Sequence, residues 1–132
     1  MLIEAAIFKY LSEYSGLVGS RIYPLKLPQK PTLPAMTYQR ISGMHVHSHS
    51  GISGLARPRY QFTCWAERYD DAKATAETLR LALDGYKGTM GGVSGVNVSG
   101  ALSEGDGDIY DPDTKLSGVW HDFFIWHAEA KE

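Results

Sequence analysis

Apolar residues recur along this chain at two helical spacings and several alternating ones, and their order outlines the fold. Within Leu2–Tyr14, the residues Ile3, Ala6, Ile7, Tyr10, Leu11 and Tyr14 fall three or four apart, which places them on one face of an amphipathic helix. Gly16 ends the pattern. A second helix is predicted over Asp70–Gly85, with Ala72, Ala76, Leu79, Leu83 and then Tyr86 on one face. Asp70 and Asp71 at its start and Arg80 near its end run in the favourable sense for the helix dipole, and Gly85 is a stop signal. The small alanine surface lets such a helix approach a sheet closely.

Period-two alternation marks the strands. Met36–Ser42 puts Met36, Tyr38 and Arg40 on one face and Thr37, Gln39 and Ile41 on the other, with either face free to look inward. Arg59–Trp65 turns Tyr60, Phe62 and Cys64 one way and is near enough to pair antiparallel with the first strand. A short strand over Gly95–Leu102 follows a glycine-rich stretch, and Leu116–Ala128 reads as a long final strand. There Val119, His121, Phe123, Ile125 and His127 alternate with Trp120, Asp122, Phe124 and Trp126, so both faces are partly apolar. The connections are expected to be His45–Gly54, an exposed hairpin connection or mobile loop by composition, and the polar EGDGDIYDPDTKLSG. Four of the six prolines (Pro24, Pro28, Pro31 and Pro34) fall between the first helix and the first strand. Proline withholds a backbone donor and restricts the residue before it, so Ile22–Pro34 is expected to be an extended arm rather than a ladder strand. The expected fold class is therefore α+β, in the order α-β-β-α-β-β. Two helices pack on one face of an antiparallel or mixed sheet, and the opposite face is left for assembly.

The chain has 132 residues, 43% hydrophobic and 21% charged, a size and balance that suit one globular domain over residues 1–132. A net charge of -2 supplies no basic field for nucleic acid or an anionic membrane. No apolar run approaches the roughly 18 residues of a spanning helix. The opening MLIEAAIFKYL carries an early glutamate and no cleavage-like segment, so no signal peptide is expected. The single cysteine, Cys64, alternates with Tyr60 and Phe62 and reads as a core thiol in a reducing compartment.

The residues that invite chemistry also admit plainer readings. His45, His47 and His49 would share one face of a strand, and imidazole is a good zinc or nickel ligand, yet the serines and glycines around them suit a solvated loop. His121 and His127 lie six apart, too distant along a strand for an obvious chelating pair. Asp106, Asp108, Asp111 and Asp113 lack the spacing and terminal glutamate of a calcium loop, and Asp111-Pro112-Asp113-Thr114 reads as a turn. GTMGGVSGVNVSG fails both the phosphate-loop and the dinucleotide patterns, and no G-x-S-x-G elbow is present. No catalytic residue, metal site or cofactor is expected. A small-molecule or peptide-binding module using the apolar sheet face is the alternative of another class, and a metal-dependent enzyme comes third.

Several elements carry a family likeness through their order and spacing. These are the opening helix, then VGSRIYPLKLPQKPTLPAMTYQRISG, SGLARPRYQFTCWAERYDDAKATAETLRLALDGYKGTMGGV and DIYDPDTKLSGVWHDFFIW. Together they resemble the small tail-completion, or tail-terminator, proteins of long-tailed bacteriophages and prophages. The resemblance implies a structural virion protein that caps the tail tube at its head-proximal end and contributes to head-tail joining, made in the host cytoplasm. It implies a homo-oligomer in a six-subunit ring, partnered by the tail tube protein and the head-tail connector protein. DNA would pass the lumen without sequence-specific binding, and no membrane is involved. A ring needs a heterologous contact that closes by rotation, for which an arm and an exposed sheet face are suited. The surfaces assigned to it are the arm (Ile22, Tyr23, Pro24, Pro28, Pro31, Pro34) and the final strand around Trp120, Phe124 and Trp126. Interior packing and an ordinary surface loop are the competing reading.

Overall fold

The computed structural model describes residues 2–43, 45–48 and 51–128. It is an α+β fold in which two helices, α1 (Ile3–Glu13) and α2 (Tyr69–Leu83), accompany one eight-stranded mixed sheet. The strands are β1 (Ile22–Pro24), β2 (Ala35–Ser42), β3 (His45–Ser48), β4 (Gly51–Ala56), β5 (Arg59–Ala66), β6 (Gly88–Met90), β7 (Val96–Asp111) and β8 (Leu116–Ala128). β8 is central. It pairs antiparallel with β5 along one side and with β7 along the other. β2 lies outside β5, and β1 closes that edge in parallel with β2. The β3–β4 hairpin extends the β2–β5 pair: Leu55 and Ala56 reach the end of β8 opposite Ala128 and His127, while Pro58 carbonyl accepts from Ile125 N–H at 3.0 Å.

Alternation decides which face is core. In β5 every second residue, Tyr60, Phe62, Cys64 and Ala66, is buried, and cross-strand pairing sets Tyr60 opposite Phe123 and Cys64 opposite Val119. Those residues, with Met36 from β2 and Val98 and Ala101 from β7, form the surface on which the helices lie. α2 contributes Ala72, Ala76, Leu79, Ala82 and Leu83, and its alanines permit the close approach that a row of larger side chains would prevent. α1 buries Ile3, Ala6, Ile7 and Leu11. Two polar ties fix α1: Tyr60 donates its hydroxyl to the Glu4 carboxylate, and Tyr10 donates to the Ala82 carbonyl at 2.6 Å. Burial and the Glu4 carboxylate push the Tyr60 phenol well above its usual range. Cys64 belongs to this core, where burial pushes its thiol up to about 12 and leaves it protonated.

The four long strands and both helices stand where the hydrophobic pattern predicts them, but the strand inventory is larger. The observed order is α-β-β-β-β-β-α-β-β-β. β7 does not stop at Leu102: it continues through the acidic stretch to Asp111, because the long β8 offers a partner for every residue there except Glu104. A bulge at Glu104 shifts the register by one residue between Ser103 and Gly105. Much of His45–Gly54 pairs as the β3–β4 hairpin rather than forming only a loop. The proline segment starts with three residues of parallel ladder, Ile22–Pro24 opposite Met36–Tyr38. Proline is tolerated there because β1 is an edge strand.

Phe62 is fully buried and packs its ring 5.9 Å from Phe123 and 6.4 Å from Tyr60. Phe62→Ala is expected to cost about 3–5 kcal/mol, read as a lowered urea midpoint with an unchanged slope. An unchanged midpoint would show that the sheet and helices do not meet through this ring.

Candidate functional site

The face of the sheet turned away from the helices carries the chain's tryptophans. Trp65, Trp120, Phe124 and Trp126 all project there and are only half-buried. Gly107 stands directly opposite Trp120 and Gly118 directly opposite Trp65. A Cβ on Gly107 would fall 2.6 Å from the Trp120 indole, and one on Gly118 would fall 2.9 Å from that of Trp65. Each indole thus lies over the bare backbone of the glycine across from it, and the aromatic face is low and broad. The Trp65 indole N–H is satisfied by Thr37 Oγ1 at 3.1 Å.

Charge is built into this surface. Arg59 donates to Asp122 Oδ2 from Nε at 3.0 Å and from Nη2 at 2.6 Å. Asp122 is 5% exposed, and its Oδ1 has no hydrogen-bond partner among the described residues. The Arg57 guanidinium sits 4.6 Å from the Phe124 ring centre and 5.1 Å from that of Trp126, within cation–π range. At the lower end of the same face, the segment after β1 crosses over Thr37 and Trp65. It leaves a cavity of about 820 Å³ lined by Leu25, Leu27, Leu33, Trp65 and Leu116, with Lys26, Lys30, Glu67 and Asp111 around it.

Of the contact residues assigned from the sequence, Trp120, Phe124 and Trp126 come together on this open face. Tyr23, Pro24, Pro28, Pro31 and Pro34 belong to the segment at its edge, and Pro34 carbonyl accepts from Arg21 Nε at 2.9 Å. Ile22 is different: it is buried in the core beneath the helices. Sequence reasoning did not single out Trp65, Arg57, Arg59 or Asp122. Their signal was the same alternation that identifies Trp120, extended to the neighbouring strand, together with glycine opposite tryptophan.

The chemical lures are dispersed. His45 and His47 fall in β3, and His49 lies outside the described residues. Among the described residues no group of three His, Cys, Asp or Glu side chains is placed to hold a metal ion. Asp111 caps the turn before β8, accepting from Asp113 N–H at 3.1 Å and from Thr114 Oγ1 at 2.9 Å. Asp108 pairs with Lys73 at 2.7 Å, which lowers its carboxyl, helped by a hydrogen bond from Tyr69. Ser103 and His121 share a 2.6 Å hydrogen bond, but the imidazole is stacked on Phe123 at 4.4 Å and is 2% exposed.

A packed, helix-backed sheet thus presents a wide, half-buried aromatic face with arginines stacked on it. The chain belongs to the tail completion protein gp17 family, whose model matches residues 5–128. It is a structural protein of the virion tail, made in the host cytoplasm during assembly, and its role is tail completion rather than catalysis. Among solved structures it is similar to a chain described as the virion of a native gene transfer agent particle. That likeness has 14% identity and a TM-score of 0.70 and covers 93% of each chain, so it shows a shared fold. A search of curated proteins finds no match.

Burial holds the His121 imidazole below its ordinary value near 6.5, and Arg80 adds to this, against the opposing pull of Asp106, Asp84 and Asp122. The folded chain therefore binds this proton less readily than the unfolded chain. Stability from this group is complete above that ordinary value and is lost as pH falls through it. Between about pH 7.5 and about pH 5.5, the urea midpoint of the wild type should drop further than that of His121→Gln. Equal drops would place the titration elsewhere.

Proposed function

We propose that the protein completes the tail as a closed ring of identical copies, six in number. The ring bridges the tail tube protein on one side and the head-tail connector protein on the other. The observation that carries this reading is the family match over nearly the whole chain, joined to a broad aromatic face on which Trp120, Phe124 and Trp126 stay half-buried. Trp120, Phe124 and Trp126, with the proline segment from Tyr23 to Pro34, supply contact surface to neighbouring proteins. Large rings lying low over glycine lose little conformational entropy on docking, and aromatic side chains dominate the energetics of many interfaces. The arginines stacked on them make the face amphipathic, which lets it remain in water before assembly. DNA passes the lumen without base readout, in keeping with a net charge of -2.

Light scattering over a range of protein concentrations tests the ring. A species of six times the 14.6 kDa chain mass is expected, and a strict monomer at all concentrations would remove the claim that the ring forms by itself. Trp126→Ala is expected to weaken this assembly, or incorporation into tails, while leaving the circular dichroism spectrum and unfolding midpoint within about 1 kcal/mol of wild type. Global unfolding would instead identify Trp126 as a core residue.

A further inference from the structure

Charge is segregated along this chain, and the fold brings Arg21 and Lys26 beside the β1 edge of the sheet and Glu104, Asp106 and Asp108 to the β7 edge. Between Glu13 and Glu67 stand Arg21, Lys26, Lys30, Arg40, Arg57 and Arg59 with no aspartate or glutamate. Between Lys87 and Lys115 stand Glu104, Asp106, Asp108, Asp111 and Asp113 with no lysine or arginine. The first stretch builds β1 to β5, with Arg21 just before β1 and Lys26 and Lys30 in the segment after it; the second builds β6 and β7, and its carboxylates begin only at Glu104, in the outer half of β7. In the sheet β1 with β2 and the outer half of β7 are the two ends, separated by β5 and β8.

Both ends are open at the same level. One row of paired residues runs Ile22, Met36, Cys64, Val119, Asp108, and the next but one runs Pro24, Tyr38, Phe62, His121, Asp106. Beyond β1 the sheet order has no further strand, and among the described residues none pairs with the outer side of Glu104–Asp111. The start of β7 is different, since β6 pairs with Val96–Val98 and Ala101 exchanges hydrogen bonds with Gly85 and Tyr86. The open part is thus confined to the acidic stretch. Direction also fits. β1 runs parallel to β2, and three antiparallel steps (β2 to β5, β5 to β8, β8 to β7) leave β7 opposed to both. A copy placed alongside by rotation about an axis near the strand direction brings its β1 antiparallel to β7 of the first.

We infer that the acidic outer edge of β7 in one copy docks against the β1 edge of the next, where Glu104 and Asp106 meet Lys26 and Lys30 of the segment that follows β1. This inference rests on the ring reading and assigns its subunit contact. All four side chains are exposed, and Asp108 is already engaged by Lys73 within the chain. The contact is heterologous: each copy offers one edge of each sign, so association propagates in one sense and ends only by closing. Edge-to-edge docking also accounts for two open sheet edges that a monomer would have to protect. It leaves Trp120, Phe124 and Trp126 free for a different protein, so the two surfaces serve different partners.

A charge-swap experiment tests this on the full chain. Glu104→Lys with Asp106→Lys makes both edges basic, and Lys26→Glu with Lys30→Glu makes both acidic. Each double variant alone should fall to the 14.6 kDa mass of one chain by light scattering. An equimolar mixture should regain the wild-type mass, because every contact in an alternating ring again joins opposite signs. Wild-type association should weaken as salt is raised. Should a reversal compromise folding by circular dichroism, Glu104→Gln with Asp106→Asn and Lys26→Gln with Lys30→Gln carry the test. Each is expected to move the association midpoint to about tenfold higher concentration. A wild-type multimer whose mass survives the reversals or neutral variants, or a folded pair that fails to recover on mixing, overturns the edge contact and leaves the ring standing. A wild-type chain that is monomeric throughout overturns both.

Discussion

The structure hangs on one strand paired along both sides. β8 has β5 and β4 on one flank and β7 on the other, so its backbone groups are committed along nearly its whole length and its register is set by two neighbours at once. A one-residue slip would exchange Phe123 and Ile125 for Trp120 and Phe124 on the helix side and expose the core. That constraint lets the strand be apolar on both faces without ambiguity. Odd positions from Val119 to His127 hold the helices, and even positions from Trp120 to Trp126 dress the opposite side.

The two faces are built by different means. The helix side is close-packed, with small residues of α2 against aromatic residues of the sheet and two tyrosine hydroxyls tying α1 in place. The opposite side is a single layer. Indoles rest on glycine, and guanidinium groups rest on aromatic rings or pair with Asp122. A tail-completion protein has no substrate to enclose. It needs a stiff body and surfaces shaped before their partners arrive, because a surface ordered only on docking gives up conformational entropy at that moment. Glycine does this on the aromatic face by permitting close approach, and Asp122 by holding Arg59 inward.

The helices were legible because three-four spacing is a local signal, and each helix buries the face its spacing marks. The likeness to tail-completion proteins was legible for a related reason, since order and spacing of elements survive in the linear chain. The same alternation placed Trp120, Phe124 and Trp126 on one face. It did not reach Trp65, Arg57 or Arg59 as members of that face, because membership depends on which residues stand opposite across two ladders. Nor did it show that Ile22, adjacent to Tyr23 and Pro24, turns into the core.

What the sequence by itself determined was the amphipathic periodicity of α1, α2, β5 and β8, the family likeness, and the absence of any spaced catalytic or phosphate-binding motif. What only the tertiary structure decided was the pairing. Glu104–Asp111 looks like a polar connection, since acidic residues and glycines have poor strand propensity. It is nevertheless strand, because β8 beside it offers hydrogen-bond partners along its length, and backbone pairing outweighs a propensity that spans only about 1 kcal/mol. For the same reason β1, from the stretch without carboxylates, and the acidic half of β7 become opposite edges of one sheet. Their separation along the chain is local information, but their placement arises from which strands come to lie between them.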